Sequence, residues 1–345
     1  GHAVDHYYSR RFFGTLAATS LAINALTLAA VAMGLIGNSG NASLWIYGSI
    51  AFTGIARAFI SPSYNTLFAL IIPRENFAKA AGVGSAVFQI GLVLGPALGG
   101  LLVGFASKTA AYQIAILLCL GATLSMLMLN INEPPAVKEA PAVFKSIKEG
   151  LSFVFNNQIV LGALSLDMFA VLFGGAVAML PAFIQDVYHY GPEGLGILRA
   201  FPGLGAIITG LWLTRYPINK QAGRWLLYAV AGFGIFIIAF AFSTYFWLAA
   251  VFLFLSGICD GISVVLRQTI LQLATPDSMR GRVSSINGVF IGSSNELGAF
   301  ESGVTARLIG LVPSVIFGGL MTLGVVGATA KLAPKLRDLE LNQLH

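Results

Sequence analysis

The chain alternates between long apolar segments and short polar ones. Most of the apolar segments contain 20 residues or more, about the length that an α-helix needs to cross the hydrocarbon core of a bilayer. Several are well over this length, which predicts tilt or protrusion beyond the bilayer. The pattern therefore predicts ten membrane-spanning helices, at residues 12–34, 44–72, 79–105, 110–130, 159–186, 193–214, 224–242, 246–273, 283–309 and 311–331.

One connection between these segments is longer and more polar than the others. Residues 132–157 contain prolines, lysines and glutamates, and the second part of the segment has the pattern of an amphipathic surface helix. We interpret it as a linker between two bundles. The predicted domains are an N-terminal helix bundle of four spans at 1–131, the linker at 132–157, a C-terminal six-helix bundle at 158–333 and a tail at 334–345.

The composition is typical of a polytopic membrane protein and not of a soluble domain. Hydrophobic residues make up 57% of the chain, charged residues only 10%, and the mean hydropathy is +0.82. The net charge is +6, but the basic residues are spread over alternate loops, so no nucleic-acid partner is predicted. The opposite set of loops contains a single basic residue, Lys108. The positive-inside rule therefore places the linker and the C-terminus in the cytoplasm.

Residue types that carry catalysis or bind metals are few. Cys119 and Cys259 lie inside apolar segments, and the four histidines lie in loops or in the tail without metal-ligand spacing. The sequence contains no Walker motif, and its histidines do not indicate a Ser/His/Asp catalytic triad. It therefore predicts that the protein is not an enzyme, binds no metal or cofactor, and uses an ion gradient as its energy source.

The second and third spans resemble the eighth and ninth at a constant offset of 203 residues. The segment GIAR at 54–57 aligns with GICD at 257–260, and the same offset aligns Gly95 with Gly298. A register that continues without gaps across two spans and a loop predicts an internal structural duplication. Six spans follow the linker but only four precede it. The duplication thus predicts that two helices are missing from the N-terminal half.

The opening loop then resembles the most characteristic motif of the major facilitator superfamily: a Gly, an Asp four residues later, and a basic pair. The matching residues are Gly1, Asp5, Arg10 and Arg11. The loop departs from the family pattern at His6 and Tyr8. The resemblance implies an all-α fold comprising helices 3 to 12 of a twelve-helix pseudo-two-fold bundle. It also implies that this loop latches the outward-facing state; the alternative is an ordinary solvated loop.

A second motif narrows the resemblance within the family. The segment GLVLGPALGG resembles the Gly-Pro element of proton-coupled exporters, and it contains Gly91, Gly95, Pro96, Gly99 and Gly100. Three of these glycines lie on one helical face, where they permit close helix contact, and the proline permits a bend. The alternative is small-residue packing without functional consequence. Segments of the second half show further similarities of this kind. Together with the Gly-Pro element, they make the chain resemble the branch that contains the enterobactin exporter and macrolide efflux proteins.

Ionisable residues inside a span are costly, and they usually face a partner or a wet cavity. Arg57 lies near the middle of its span, and Asp260 has the equivalent position in the other half. In the family, the corresponding helices line a central cavity, so we predict that these two residues pair across it. A carboxylate separated from a guanidinium takes up a proton more readily, which would couple conformational change to a proton. The alternatives are a static ion pair and two groups each satisfied within its own half.

Three other residues complete the predicted site. Asp167 lies about two turns inside its span. It is predicted either to contact a cationic substrate or carry a proton, or to be solvated near the cytoplasmic mouth of the cavity. Glu296 is preferred over Glu301, because five residues rotate a helix by about 140° and the two cannot both face one cavity. Arg267 follows Asp260 by seven residues on nearly the same face, which makes it a candidate internal partner.

Together these observations predict a secondary active transporter in the bacterial cytoplasmic membrane. It would export a small amphipathic molecule of drug or siderophore type by proton antiport with alternating access. Its predicted partners are the small-molecule substrate, protons and the lipid bilayer, and it is expected to be a monomer. The alternatives are an importer of the same fold, a membrane sensor or assembly subunit that transports nothing, and an inactive fragment.

Overall fold

The computed structural model describes residues 10–37, 41–72, 77–129, 143–218, 220–276 and 279–341. Within these ranges the chain is all-α and contains no strand. Contacts between residues divide it into two compact units, Gly1–Ala140 and Pro141–His345. The all-α polytopic fold predicted from the sequence is confirmed at this level.

The first unit contains four long helices in its described residues. Apolar residues predominate in α1, α2 and α4, and each of these helices is long enough to span a bilayer. Helix α1 packs against α2 and α4, and α3 packs against α4. The Ser107 side chain caps α4 by accepting a hydrogen bond from the Ala110 amide at 3.0 Å. The helices are α1 Arg10–Ala32, α2 Ala42–Ile71, α3 Phe77–Phe105 and α4 Lys108–Met128.

In its described residues, the second unit contains a short amphipathic helix followed by six long helical segments, five of which are long and apolar enough to cross a bilayer. Its core lies among these segments, in three clusters of buried aliphatic and aromatic side chains. The elements are α5 Val143–Asn156, α6 Gln158–Phe173, α7 Ala176–Phe183 with a π-helical turn at Ile184–Tyr188, α8 Pro192–Arg215, α9 Ala222–Phe242, α10 Phe246–Ala274, α11 Arg280–Ile309, α12 Leu311–Leu332 and α13 Pro334–Arg337.

Within the described residues, each apolar segment predicted to span the membrane is mostly helical. Seven of the described segments are long and apolar enough to cross a bilayer: Gly14–Ala32, Lys108–Met128, Gln158–Tyr188, Pro192–Arg215, Ala222–Phe242, Phe246–Ala274 and Leu311–Leu332. The other three predicted spans correspond to the long helices α2, α3 and α11. Helix α11 carries buried or half-buried polar residues such as Ser294 and Glu301, which lower its hydropathy.

The predicted span at 159–186 is not one continuous α-helix. It breaks between α6 and α7 at Gly174 and Gly175 and ends in the π-helical turn. A Cβ added at Gly175 would lie 2.5 Å from the Ser302 hydroxyl oxygen and 3.0 Å from the Gly298 carbonyl oxygen. A side chain at this position would therefore require Ser302 or the α11 backbone to shift, and glycine allows the two segments to approach closely.

Two parallel segments of the second unit, α8 and α10, pack through glycines. A Cβ added at Gly257 would overlap the Pro202 carbonyl oxygen, and one added at Gly205 would lie 2.8 Å from the Ile258 amide nitrogen. Small residues allow helix backbones to approach each other in the membrane, where packing and not the hydrophobic effect drives association. This contact fixes α10, which carries two of the predicted site residues.

The segment predicted as a tail packs against the six-helix bundle through its described residues, 334–341. Leu336 is fully buried, and the Gly223 amide donates a hydrogen bond to the Leu339 carbonyl oxygen at 3.3 Å. Asp338 forms ion pairs with Arg337 at 2.7 Å and Arg224 at 3.2 Å. Hydrogen bonds from these two guanidinium groups lower the pKa of Asp338 to about 2. Residues 334–341 are thus anchored against α9.

Candidate functional site: a buried ion pair between two helices

An ion pair is buried between α6 and α10. Nη1 of Arg267 donates a hydrogen bond to Oδ2 of Asp167. Asp167 is 7% exposed and Arg267 is 4% exposed, so both charges are shielded from the surroundings of the protein. The two residues are a hundred positions apart in the sequence, and it is the packing of α6 against α10 that brings them together.

The two helices that hold this ion pair also contribute to a buried apolar cluster. Leu166 and Leu266 belong to this cluster, and each directly precedes a member of the pair. At a buried position an isolated charge is strongly unfavourable, and a partner compensates only part of the desolvation. The Nε atom of Arg267 is buried and has no hydrogen-bond partner among the described residues. The guanidinium group is therefore incompletely hydrogen-bonded within the described residues, whereas most buried polar groups have their partners.

Asp260 lies two turns before Arg267 on α10 and is half-buried. The structure pairs Arg267 with Asp167 and not with Asp260, which corrects the internal pairing considered from the sequence. Within the described part of the chain, Asp260 forms no ion pair or hydrogen bond. Burial of Asp167 also excludes the solvated position near the helix end that the sequence left open. One helix thus carries an unpaired carboxylate and a paired guanidinium on nearly the same face.

The remaining ionisable candidates lie elsewhere. Arg57 is exposed on α2 in the first unit, and its pairing with Asp260 in the second unit stays a prediction. Glu296 is exposed on α11. Glu301, five residues further along this helix, is half-buried and accepts a hydrogen bond from the Thr305 hydroxyl at 2.7 Å. This difference agrees with the expectation that the two glutamates face different directions.

The two sequence motifs are only partly described. Gly1 and Asp5 of the predicted latch lie outside the described residues, and of Arg10 and Arg11 only the helical backbone at the start of α1 is described. Pro96 lies inside α3. Cβ atoms added at Gly91, Gly95 or Gly99 would meet no heavy atom of the described chain within 4 Å, and Gly100 is half-buried. The close helix contact predicted for this motif therefore stays a prediction.

Sequence reasoning missed one polar residue of the first unit. Asn24 on α1 is buried, and its side-chain NH2 donates hydrogen bonds to the Ser49 carbonyl oxygen at 3.1 Å and to the Thr53 hydroxyl at 2.7 Å. These bonds join α1 to α2 beside a cavity of about 420 Å³. The signal was an amide in the middle of an apolar span, where polar side chains usually bond across helices.

The sequence matches the protein family described as "Major Facilitator Superfamily" over residues 1–299, which is most of the chain. The chain belongs to the Major Facilitator Superfamily. This confirms the resemblance drawn from the two motifs, and together with the spanning segments it makes the chain a multi-pass membrane protein. The similar proteins named below are transporters, which agrees with the prediction that the chain is not an enzyme.

Curated relatives of this superfamily chain include proteins named Enterobactin exporter EntS. The one from Escherichia coli O1:K1 is 27% identical over 265 residues, covering 74% of this chain and 63% of the relative. The one from Citrobacter koseri is 26% identical over 262 residues, covering 73% and 62%. The matches therefore span less than two thirds of the length of these relatives.

Solved structures show the same fold at low sequence identity. A bacterial homologue of the human lysosomal transporter Spinster, inward-facing and unoccupied, has a TM-score of 0.70 and 15% identity, covering 96% of this chain and 84% of the other. A POT family transporter in complex with 5-aminolevulinic acid has a TM-score of 0.69 and 11% identity, covering 97% and 84%. At these identities, the likeness is one of fold alone.

Proposed function

We propose that the protein is a secondary active transporter that exports a small amphipathic molecule by proton antiport with alternating access. Family membership supports transport, and the names of the curated relatives favour export of a compound of siderophore or drug type. The predicted positive-inside orientation supports a bacterial cytoplasmic membrane, with the linker and the C-terminus in the cytoplasm. We propose that the working unit is a monomer.

The observation that carries the proposal is the buried pair of Asp167 and Arg267. A rocking motion that shifts α6 relative to α10 would separate the two charges in a low dielectric. Asp167 would then be stabilised by taking up a proton, and re-formation of the pair would release it. The pair therefore supplies one site at which a change of conformation exchanges a proton.

Asp260 is the second proton site in this proposal. It is half-buried and unpaired in the described part of the chain, and it lies on the same side of α10 as Arg267. In one state of the cycle, Arg57 of the other half would pair with Asp260, as the sequence predicts. Glu296 would contribute to the cavity wall, and the loop with Gly1, Asp5, Arg10 and Arg11 would latch the outward-facing state.

The test is proton movement driven by substrate. Inverted membrane vesicles containing the protein would be energised with a pH gradient, which is followed by quenching of an acridine dye. Enterobactin, named for the relatives, and a panel of amphipathic dyes would then be added. Antiport predicts that at least one compound partly collapses the gradient in vesicles with the protein and not in vesicles without it.

A charge-neutral variant gives the decisive comparison. Asp260→Asn keeps the size of the side chain but removes the group that can gain and lose a proton, so it should abolish the substrate-driven proton signal while leaving expression intact. Glu301→Gln on α11 is a matched control, because its carboxylate bonds only within its own helix among the described residues. Undiminished coupling in Asp260→Asn would remove this residue from the mechanism. A substrate-driven proton movement in the direction opposite to that expected for antiport would indicate an importer.

A further inference from the structure

A cavity with both polar and apolar lining residues lies in the second unit, and neither Asp167 nor Arg267 lines it. It has a volume of about 1030 Å³ and lies where α5, the start of α6, the approach to α11 and α13 meet. Its lining includes the side chains of Lys148 and Lys335 together with the amides of Asn156, Asn157 and Gln158. Both lysines are exposed, and in the described part of the chain neither one has an acidic partner.

The acidic residue of this cavity is already neutralised. Oε2 of Glu149 lies 2.7 Å from Nη1 of Arg282, which joins α5 to the first turn of α11. The two lysines therefore leave an excess of positive charge. Asn157 uses its side-chain oxygen to cap α6, accepting hydrogen bonds from the Ile159 and Val160 amides, so its NH2 group remains available as a donor. The polar part of the cavity thus offers donors and cations suited to an anion.

The cavity is bordered by an amphipathic helix with unburied apolar side chains. On α5, Ile147 is 49% exposed and Phe155 is 61% exposed, whereas Val154 is fully buried against the bundle. A helix of this kind places its apolar side at the boundary between headgroups and acyl chains. Phe153 and Ile159 add apolar surface to the cavity itself. Cationic donors and apolar surface thus lie side by side at one end of the bundle.

We propose that this cavity binds the phosphate headgroup of an anionic phospholipid, with Lys148 and Lys335 as its cationic ligands and the exposed apolar residues of α5 against its acyl chains. Basic pockets between spanning helices on the cytoplasmic side are suited to such headgroups, because anionic lipids are concentrated there. A free phosphate would use the lysines equally well, but it would gain nothing from Ile147 and Phe155. The arrangement therefore favours the lipid.

Native mass spectrometry of the full chain in detergent tests this site. The protein would be titrated with phosphatidylglycerol and with phosphatidylcholine of the same acyl chains. We expect phosphatidylglycerol to bind about tenfold more tightly or better, because each lysine adds attraction to an anionic headgroup. The variant Lys148→Gln/Lys335→Gln should lose most of this preference. Equal binding of the two lipids by the unaltered chain would overturn the proposal.

The matched control is Lys220→Gln/Lys331→Gln, which removes the same charge from exposed positions outside the cavity lining. It should bind phosphatidylglycerol within about twofold of the unaltered protein, and Lys148→Arg/Lys335→Arg should retain binding. An equal loss in the control pair would show that net charge and not this cavity attracts the lipid. Competition by inorganic phosphate at the concentration of the lipid would show a site for a soluble anion instead. Either result would refute the lipid site.

Discussion

The two units of the molecule use equivalent glycines in different ways. At the offset of 203 residues, Gly54 corresponds to Gly257 and Gly95 corresponds to Gly298. A Cβ added at Gly257 would overlap the Pro202 carbonyl oxygen, and one added at Gly298 would lie 2.7 Å from the Leu172 carbonyl oxygen. A Cβ added at Gly54 or Gly95 would meet nothing within 4 Å among the described residues.

This difference arises although the helices themselves correspond. Displaced by 203 residues, the bounds of α2, α3 and α4 coincide with those of α10, α11 and α12 to within one residue, which agrees with the predicted duplication. The contacts of the second unit come from α6 and α8, at Leu172 and Pro202. Both positions lie within the first 203 residues, so the offset assigns them no counterpart. A glycine is therefore a packing contact only where the structure supplies the opposing helix.

The largest expected effect contrasts an arginine from each unit. Arg267→Gln leaves Asp167 buried without its cation, so we expect a loss of stability of about 3–5 kcal/mol. Arg57→Gln alters an exposed side chain, and its effect on stability should be about 0.5 kcal/mol or less. Thermal unfolding of both variants in the same detergent measures the contrast. Similar losses would show that the two units do not differ in how they hold charge.

A double variant separates stability from mechanism in the second unit. Asp167→Leu/Arg267→Met replaces the pair with apolar side chains, and such replacements are often neutral or stabilising. We expect unfolding close to that of the unaltered protein, together with loss of the substrate-driven proton signal. A double variant that is stable and still coupled would assign the pair a purely structural role.

The glycine comparison itself predicts a smaller effect. Gly257→Ala should destabilise the protein by about 1–3 kcal/mol, because its methyl group overlaps the Pro202 carbonyl group and forces α8 and α10 apart. At Gly54 the new methyl group of Gly54→Ala meets no described atom within 4 Å, so this variant should be neutral, or stabilising by up to about 1 kcal/mol through helix propensity. The free energies of unfolding of the two single variants, each compared with that of the unaltered protein, test this difference. Destabilisation of equal size in both would contradict the described difference.

The first unit also has a specific contact that can be broken. Asn24→Ala removes two hydrogen bonds between α1 and α2, and we expect a loss of about 1 kcal/mol, as is usual for such bonds in membranes. Thr27→Ala is the control, because among the described residues Thr27 bonds only to the Ile23 carbonyl oxygen of its own helix. A change no larger than that of the control would mean that Asn24 does not join the helices.

The smallest effect concerns pH and the docked end of the chain. The pKa of Asp338 is lowered to about 2 by Arg337 and Arg224, so the contribution of these ion pairs is fully present above the ordinary pKa of about 3.9. It is lost only as the pH falls through 2. Hydrogen exchange at the Gly223 amide should therefore reveal docking that does not vary between pH 5 and 8. Undocking within that range would contradict the proposed role of Asp338.

Hydropathy predicted most of the helices because the length of an apolar run is a local property. The span predicted at 311–331 is α12, Leu311–Leu332. The break at Gly174 and Gly175 escaped prediction, although two successive glycines are a local helix-breaking signal, because hydropathy alone does not register it. The docking of Leu336 beneath α9 escaped for the same reason.

The candidate site was predictable by residue type but not by pairing. A charge within an apolar run is conspicuous in any sequence, and this singled out Asp167, Asp260 and Arg267. Distance along one helix suggested Asp260 as the partner of Arg267. In the structure the partner of Arg267 is Asp167, which lies on a different helix. The long arginine side chain can reach a neighbouring helix as well as another position on its own helix, so distance along one helix does not identify the partner.

By itself, the sequence determined the class of the protein, its helical segments, its duplication and its family, because each of these depends on composition, on local periodicity or on motifs read in order. Only the tertiary structure decided which charges meet and which glycines are in contact. These features depend on which helix surfaces face each other. The residues of one helix do not by themselves show which distant helix packs against it. In this protein, the buried pair of Asp167 and Arg267 belongs to that second category.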